Sequence, residues 1–302
     1  MYKALFSLMI IGIATSGVRA QEPRTTVKSE HSELAPLANL NFHKINYPAT
    51  WSTQVTGIND SGVVVGNYLA KRLSDNASGF SLTDGTFSQV NFPGAAGSVA
   101  DGINASGAIV GAYSMEDLGY GFLYENGQFS EIDVPGGSGT VAAGINSAGE
   151  IVGLYQDSSS ATHGFMDQGG SFSTIDYPGA IYTAALGINS SQQISGYYYV
   201  GANGPSHGFL YSAGSFTSVD VPGAMYTICW GINDGPEVAC SYGDESGNEH
   251  GVLYRQGIFS EVDFPNSTFT ELTGINNKHQ MVGIYEPAGA SRSYGFLATP
   301  AN

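Results

Sequence analysis

A chain of 302 residues that is 42 % hydrophobic, carries 42 glycines and is only 12 % charged lacks the composition of a disordered protein. Its 18 Tyr and 15 Phe suit short pleated strands joined by tight turns. The formal charge of −16 sets the surface against nucleic acid and anionic lipid and leaves neutral sugars, cationic partners and divalent ions as compatible ligands.

The first segment reads as a secretory signal over residues 1–20. Lys3 supplies the positive end, Ala4 to Ala14 the apolar centre, and Val18-Arg19-Ala20 the cleavage site before Gln21. The apolar run is too short to span a bilayer, and no later stretch is long and apolar enough to do so. A secreted, extracellular or periplasmic destination follows, with no membrane span in the mature chain. Residues 21–41 are polar, aperiodic and expected to form a flexible leader.

From residue 42 the chain repeats. Gly-Ile-Asn recurs at Gly57, Gly102, Gly144, Gly187, Gly231 and Gly274, at intervals of 45, 42, 43, 44 and 43, a period typical of a four-stranded propeller blade. In the third copy the pattern predicts strands over 140–146, 150–155, 163–166 and 171–177. Asp84-Gly85 and Asn126-Gly127 mark tight hairpins before the fourth strand. The last copy stops after its third strand, near Gly295-Phe296-Leu297. The missing strand stands at the start as Phe42 to Tyr47 (FHKINY). The expectation is therefore an all-β, six-bladed β-propeller over 42–302, closed by the N-terminal strand. A linear solenoid would need no such split unit.

The recurrent Gly-Ile-Asn, the small-x-Ile-Val-Gly after it, and the His163-Gly164-Phe165 and His207-Gly208-Phe209 triplets resemble the HAF repeat of bacterial extracellular proteins, with Gly where that repeat has Ala. Ser78, Tyr120 and Tyr294 replace the His, and Val252 replaces the Phe. The resemblance covers 42–297 and implies an exported protein of bacterial type. It brings no activity with it.

Recurring residues are read as construction. Asp133, Asp176, Asp220, Asp263, Asn46 and Asn91 precede a Pro by two residues and are expected to cap the turn. His163, His207 and His250 occupy one slot in successive units, too far apart to share an ion. Tyr68, Tyr113, Tyr155, Tyr198, Tyr242 and Tyr285 are expected to pack between units. Cys229 and Cys240 lie equidistant from a turn and face one another on a hairpin, within reach of a disulfide.

Positions that vary are the candidates for function. Trp51, Tyr182, Tyr226, Trp230 and Phe269 gather aromatics on one rim, beside small residues such as Gly97 and Gly139, as a platform for a glycan or a surface protein. Asp244, Glu245, Asn248 and Glu249 offer oxygens to calcium without the spacing of a known calcium loop. No cofactor is otherwise implied, and no enzyme motif is present. The leading expectation is a secreted, monomeric, non-catalytic binding propeller. The alternatives are a polysaccharide hydrolase or lyase using acids such as Asp101, Glu116, Asp117, Asp157 and Glu271 with Tyr, and a structural module of an envelope assembly.

Overall fold

The computed structural model describes residues 35–37, 40–72, 76–116, 118–202 and 204–301. The expected signal segment, most of the leader and Asp117 lie outside them. Among the described residues the secondary structure is all strand, and no helix is long and apolar enough to cross a membrane.

The third repeat shows how sequence becomes sheet. Its strands run Ser138–Ile145, Ile151–Gln156, Thr162–Asp167 and Phe172–Ile175, pairing antiparallel in that order. The hairpins close where expected: Asp84 and Gly85, like Asn126 and Gly127, all have positive φ, as a two-residue turn between twisted strands requires. The other repeats follow the same order. The last supplies Ser267–Ile275, Met281–Pro287 and Tyr294–Pro300, and Leu40–Ile45 adds the fourth strand antiparallel to Tyr294–Pro300. That strand starts two residues earlier than expected, and Tyr47 lies past its end. The segment expected as a flexible leader also contributes Ala35–Pro36, paired in parallel with Ser260 and Glu261.

Sheets pack face to face. Apolar clusters join each repeat to the next: Val110 meets Ala142 and Phe165, and Ile175 meets Ile194 and Phe209. The same packing joins Val282 and Ile45 of the last repeat to Val55 and Phe80 of the first. The recurring Tyr belongs to these joints, because in four repeats the aromatic residue before the Pro stacks on it. Tyr47 on Tyr68, Phe92 on Tyr113, Tyr177 on Tyr198 and Phe264 on Tyr285 have ring centroids 3.5–3.9 Å apart. This is the propeller arrangement, in which small sheets bury their faces against their neighbours.

The Asn of Gly-Ile-Asn does more than turn the chain. Asn146 Oδ1 accepts the Ala148 and Glu150 amides and so closes its own turn, while its Nδ2 donates to the Asn189 carbonyl of the next repeat. Asn189 donates to Asn233, Asn233 to Asn276, Asn276 to Asn59, Asn59 to Asn104 and Asn104 to Asn146. The bonds form one cycle of six. The glycines two residues earlier crowd in the same way: a Cβ on Gly144 would stand 2.6 Å from the Leu186 carbonyl and 3.2 Å from Gly187 Cα. Only hydrogen fits there.

Cys229 and Cys240 pair directly in register, with Cα atoms 4.0 Å apart and their sulfurs joined. In the other five repeats the Cys240 position is Gly, and a Cβ on it would lie 2.7–3.0 Å from the ring of Phe80, Phe122, Phe165, Phe209 or Phe296. Here the third-strand residue is Val252. The sulfur pair takes the space that the ring fills elsewhere.

Candidate functional site

The rim opposite the Asn cycle is irregular. The residue just before each first-strand Thr or Ser is Ser52, Gly97, Gly139, Tyr182, Tyr226 and Phe269 in turn. Tyr182 is buried at 8 % exposure. Its hydroxyl meets that of Tyr197 at 2.9 Å and its ring stacks on Tyr199 at 4.4 Å. It is the floor of the rim, not a free ring. Trp51, Tyr226, Trp230 and Phe269 are half-buried. Trp51 has the Arg72 guanidinium 5.4 Å from its ring, and Trp230 Nε1 donates to Ser241 Oγ at 3.2 Å. Ile181, Val200 and Met225 stand exposed at 48–58 %, on the links around Tyr182 and Tyr226.

The structure adds carboxyls that sequence reasoning had not joined to these aromatics. Register places Tyr226 opposite Gly243, Gly243 opposite Glu249, Glu249 beside Phe269, and Phe269 opposite Glu286. One row thus crosses two repeats. A Cβ on Gly243 would lie 2.3 Å from the Tyr226 ring. The missing side chain lets that ring cross the neighbouring strand and donate its hydroxyl to Glu249 Oε2 at 2.9 Å. Glu271, only 2 % exposed, is close enough to act on Glu249, Tyr197 and Tyr226. Burial lifts the Glu249 carboxyl to about 7 and holds Glu271 well above the carboxylate range. Glu286 is raised by the same cause. At neutral pH this row therefore holds carboxyls able to donate as well as accept a hydrogen bond. The sequence signal for it was Glu249 on the acidic link after Tyr242 and Glu271 beside Phe269 at the start of the next repeat.

The remaining candidates separate. Asp244 Oδ1 accepts the Ser246 and Asn248 amides, and its Oδ2 accepts the Asn248 side chain. With Glu249 turned to Tyr226, these oxygens of the calcium set are committed to the loop and to the rim. Asp157 likewise shapes its own turn, and hydrogen bonds from Ser159 and Ala161 hold it down to about 2. Glu116 is exposed, and burial raises Asp101 to about 7. The expected turn cap divides: Asp133 and Asn46 accept the hydroxyl of Thr140 and Thr53 at their own turn, while three others reach across the sheet. Asp220, Asp263 and Asn91 accept the Gly208, Gly251 and Gly79 amides. The local amide is capped by the Thr or Ser hydroxyl, as Tyr177 by Thr183.

His163, His207 and His250 each hold the Asp thirteen residues on, through Nδ1 at 2.7, 3.1 and 2.6 Å. Asp263 foremost raises His250 to about 9. At the Asn end the depression over the cycle has a volume of roughly 80 Å³, well below the ~300–1,000 Å³ of a small-molecule pocket. It is sized for waters, not for a sugar.

Known structures agree on architecture. An unknown-function protein from Dyadobacter fermentans superposes with a TM-score of 0.55 at 11 % identity, covering 88 % of this chain and all of the other. TolB from Acinetobacter baumannii gives 0.53 at 11 % identity, covering 83 % and 63 %. The shared feature is the fold alone. Aleuria aurantia lectin, in complex with Fucα1-6GlcNAc, gives 0.48 at 12 % identity over 80 % and 91 %, too low to add to that argument. No protein-family model matches the chain, and no curated protein matches it.

Proposed function

We propose that this is an exported, six-bladed propeller, closed by its N-terminal strand, that binds a neutral glycan at the rim of the fifth and sixth blades. The row from Tyr226 to Glu286 carries the reading. Half-buried aromatic rings offer faces to the apolar side of a sugar ring, and adjacent carboxyls offer paired acceptors to its hydroxyls. The cyclic Asn bonds and the pairing of Leu40–Ile45 with Tyr294–Pro300 support six blades and closure. The signal segment and the cysteine pair support export. The negative charge of the chain favours neutral over anionic saccharides.

Hydrolysis is the second reading, because the Glu249 and Glu271 carboxyls are shifted to different extents, as an acid and base pair requires. The burial of Glu271 speaks against it. A carboxyl 2 % exposed does not reach a glycosidic oxygen.

A glycan array followed by titration calorimetry tests the proposal. Gly243→Ala is expected to displace the Tyr226 ring and weaken binding at least tenfold. Tyr226→Ala with Phe269→Ala is expected to abolish it. Full binding by both variants overturns the rim assignment, and new reducing ends from a polysaccharide panel overturn the non-catalytic reading.

A further inference from the structure

The fifth repeat carries a second constellation, on its outer strands and beside the rim, where His250 follows Glu249. His250 lies on Glu249–Arg255, Glu261 ends Ile258–Glu261, and Asp263 follows two residues later. One donor atom from each lies within 4.8 Å of the others. We propose that His250, Glu261 and Asp263 form a binding site for a divalent transition-metal ion, with zinc the ion their donors suit.

Three features of the geometry carry this. First, the imidazole is clamped. Its Nε2 faces Asp244 Oδ2 at 3.4 Å and its Nδ1 faces Asp263 Oδ2 at 2.6 Å. With the proton on Nε2, the Nδ1 lone pair faces the Asp263 carboxyl, and the Glu261 carboxyl completes the group. A carboxylate behind a ligating histidine is the usual support of such a site, fixing tautomer and ring orientation. Second, Glu261 and Asp263 bring two like charges together around that nitrogen, which a cation relieves. Third, the full set is not a by-product of the repeat. His163 and His207 keep the His–Asp pair, but Thr174 and Ser218 stand where Glu261 does. Tyr120 replaces the His beside Glu131 and Asp133.

One nitrogen and two carboxylate oxygens at about 2.0–2.2 Å, with water completing the shell, is zinc chemistry. Calcium prefers an all-oxygen set. Donors around a tetrahedral zinc stand about 3.4 Å apart, so the 2.6 Å contact of His250 with Asp263 opens and the separations of up to 4.8 Å close, by up to about 1.4 Å, as the side chains rotate around the ion. Metal entry displaces the proton shared between Nδ1 and Asp263, so affinity rises with pH.

The test is calorimetric titration of Zn²⁺ into the chelator-stripped, tag-free full chain at neutral pH, with Ca²⁺ run in parallel. One zinc per chain is expected, with a weak or absent calcium response. Glu261→Thr, which imports the residue of the third repeat, is expected to weaken zinc at least tenfold, and His250→Gln to remove it. His163→Gln is expected to change nothing. If His250→Gln does not fold, Glu261→Thr decides, since its side chain ends in a half-exposed position. No stoichiometric zinc, equal loss from His163→Gln, tighter calcium than zinc, or wild-type affinity in Glu261→Thr each overturns the proposal.

Discussion

At one end of the inner strands every repeat places the same Asn in the same pair of bonds, to its own turn and to the next repeat. At the other end one equivalent position holds Ser52, Gly97, Gly139, Tyr182, Tyr226 or Phe269. The first end is saturated: each side-chain amide and oxygen is used, and the depression left over is too small for a ligand. The second end spends its positions unequally, leaving glycine gaps beside crowded aromatics and raised carboxyls. Identity of residues across repeats reports on assembly, and divergence reports on what the assembled ring presents. The disulfide repeat obeys the same logic inside the core, where a sulfur pair and Val252 replace the Gly-and-Phe pair of its neighbours.

The strongest attack on the regular end is to remove residues 40–45. The last repeat then exposes an unpaired strand and part of the cluster around Ile45, and no cooperative thermal transition is expected. A truncated chain melting within a few degrees of the parent counts against closure. Next comes Asn146→Ala, which strips the Ala148 and Glu150 amides and the buried Asn189 carbonyl of their partners, at roughly 1–3 kcal/mol for a group left buried and unpaired. A loss of about 3 kcal/mol is expected in chemical denaturation, against less than about 0.5 kcal/mol for Ile181→Ser on the exposed rim. Equal losses would erase the distinction between the two ends.

Cys240→Gly sharpens the comparison of repeats. Alone it opens the disulfide and leaves a void over Val252, at about 2–4 kcal/mol. Adding Val252→Phe is expected to recover at least half, because the ring then fills the space it fills in five repeats. No recovery means that the two solutions are not interchangeable.

The smallest effect is titration at the rim. The folded Glu249 carboxyl sits at about 7, against 4.5 for an unperturbed glutamate, so the folded state holds its proton where the unfolded state has lost it. That contribution is present below about 4.5 and falls away as pH rises through about 7. The difference in melting temperature between wild type and Glu249→Gln should therefore move against the wild type over that window. A flat difference places Glu249 in water.

The fold was legible because period and hairpin dipeptides are local in sequence, and the split last repeat shows once the copies are laid beside one another. The joints were half-legible. Six tyrosines implied packing between units, yet nothing in Gly-Ile-Asn shows that the amide reaches a carbonyl about one repeat further on. The rim aromatics were visible as residue types, but burial of Tyr182 depends on Tyr197 and Tyr199 across a hairpin. The carboxyl row was missed because Tyr226, Glu249 and Phe269 meet only through pairing between repeats. The three histidines were compared along the chain with one another. Within one repeat, Glu261 beside Asp263 was the signal that set His250 apart.

The Asn cycle has a sense of rotation: every donor points to the following repeat and every acceptor to the preceding one. The joint from Asn276 to Asn59, where the chain's two ends meet, uses the same pair of groups as the five joints along the chain. The ring therefore stores no record of where the polypeptide begins. Its termini could be moved to another rim link by circular permutation without changing any bond in the cycle.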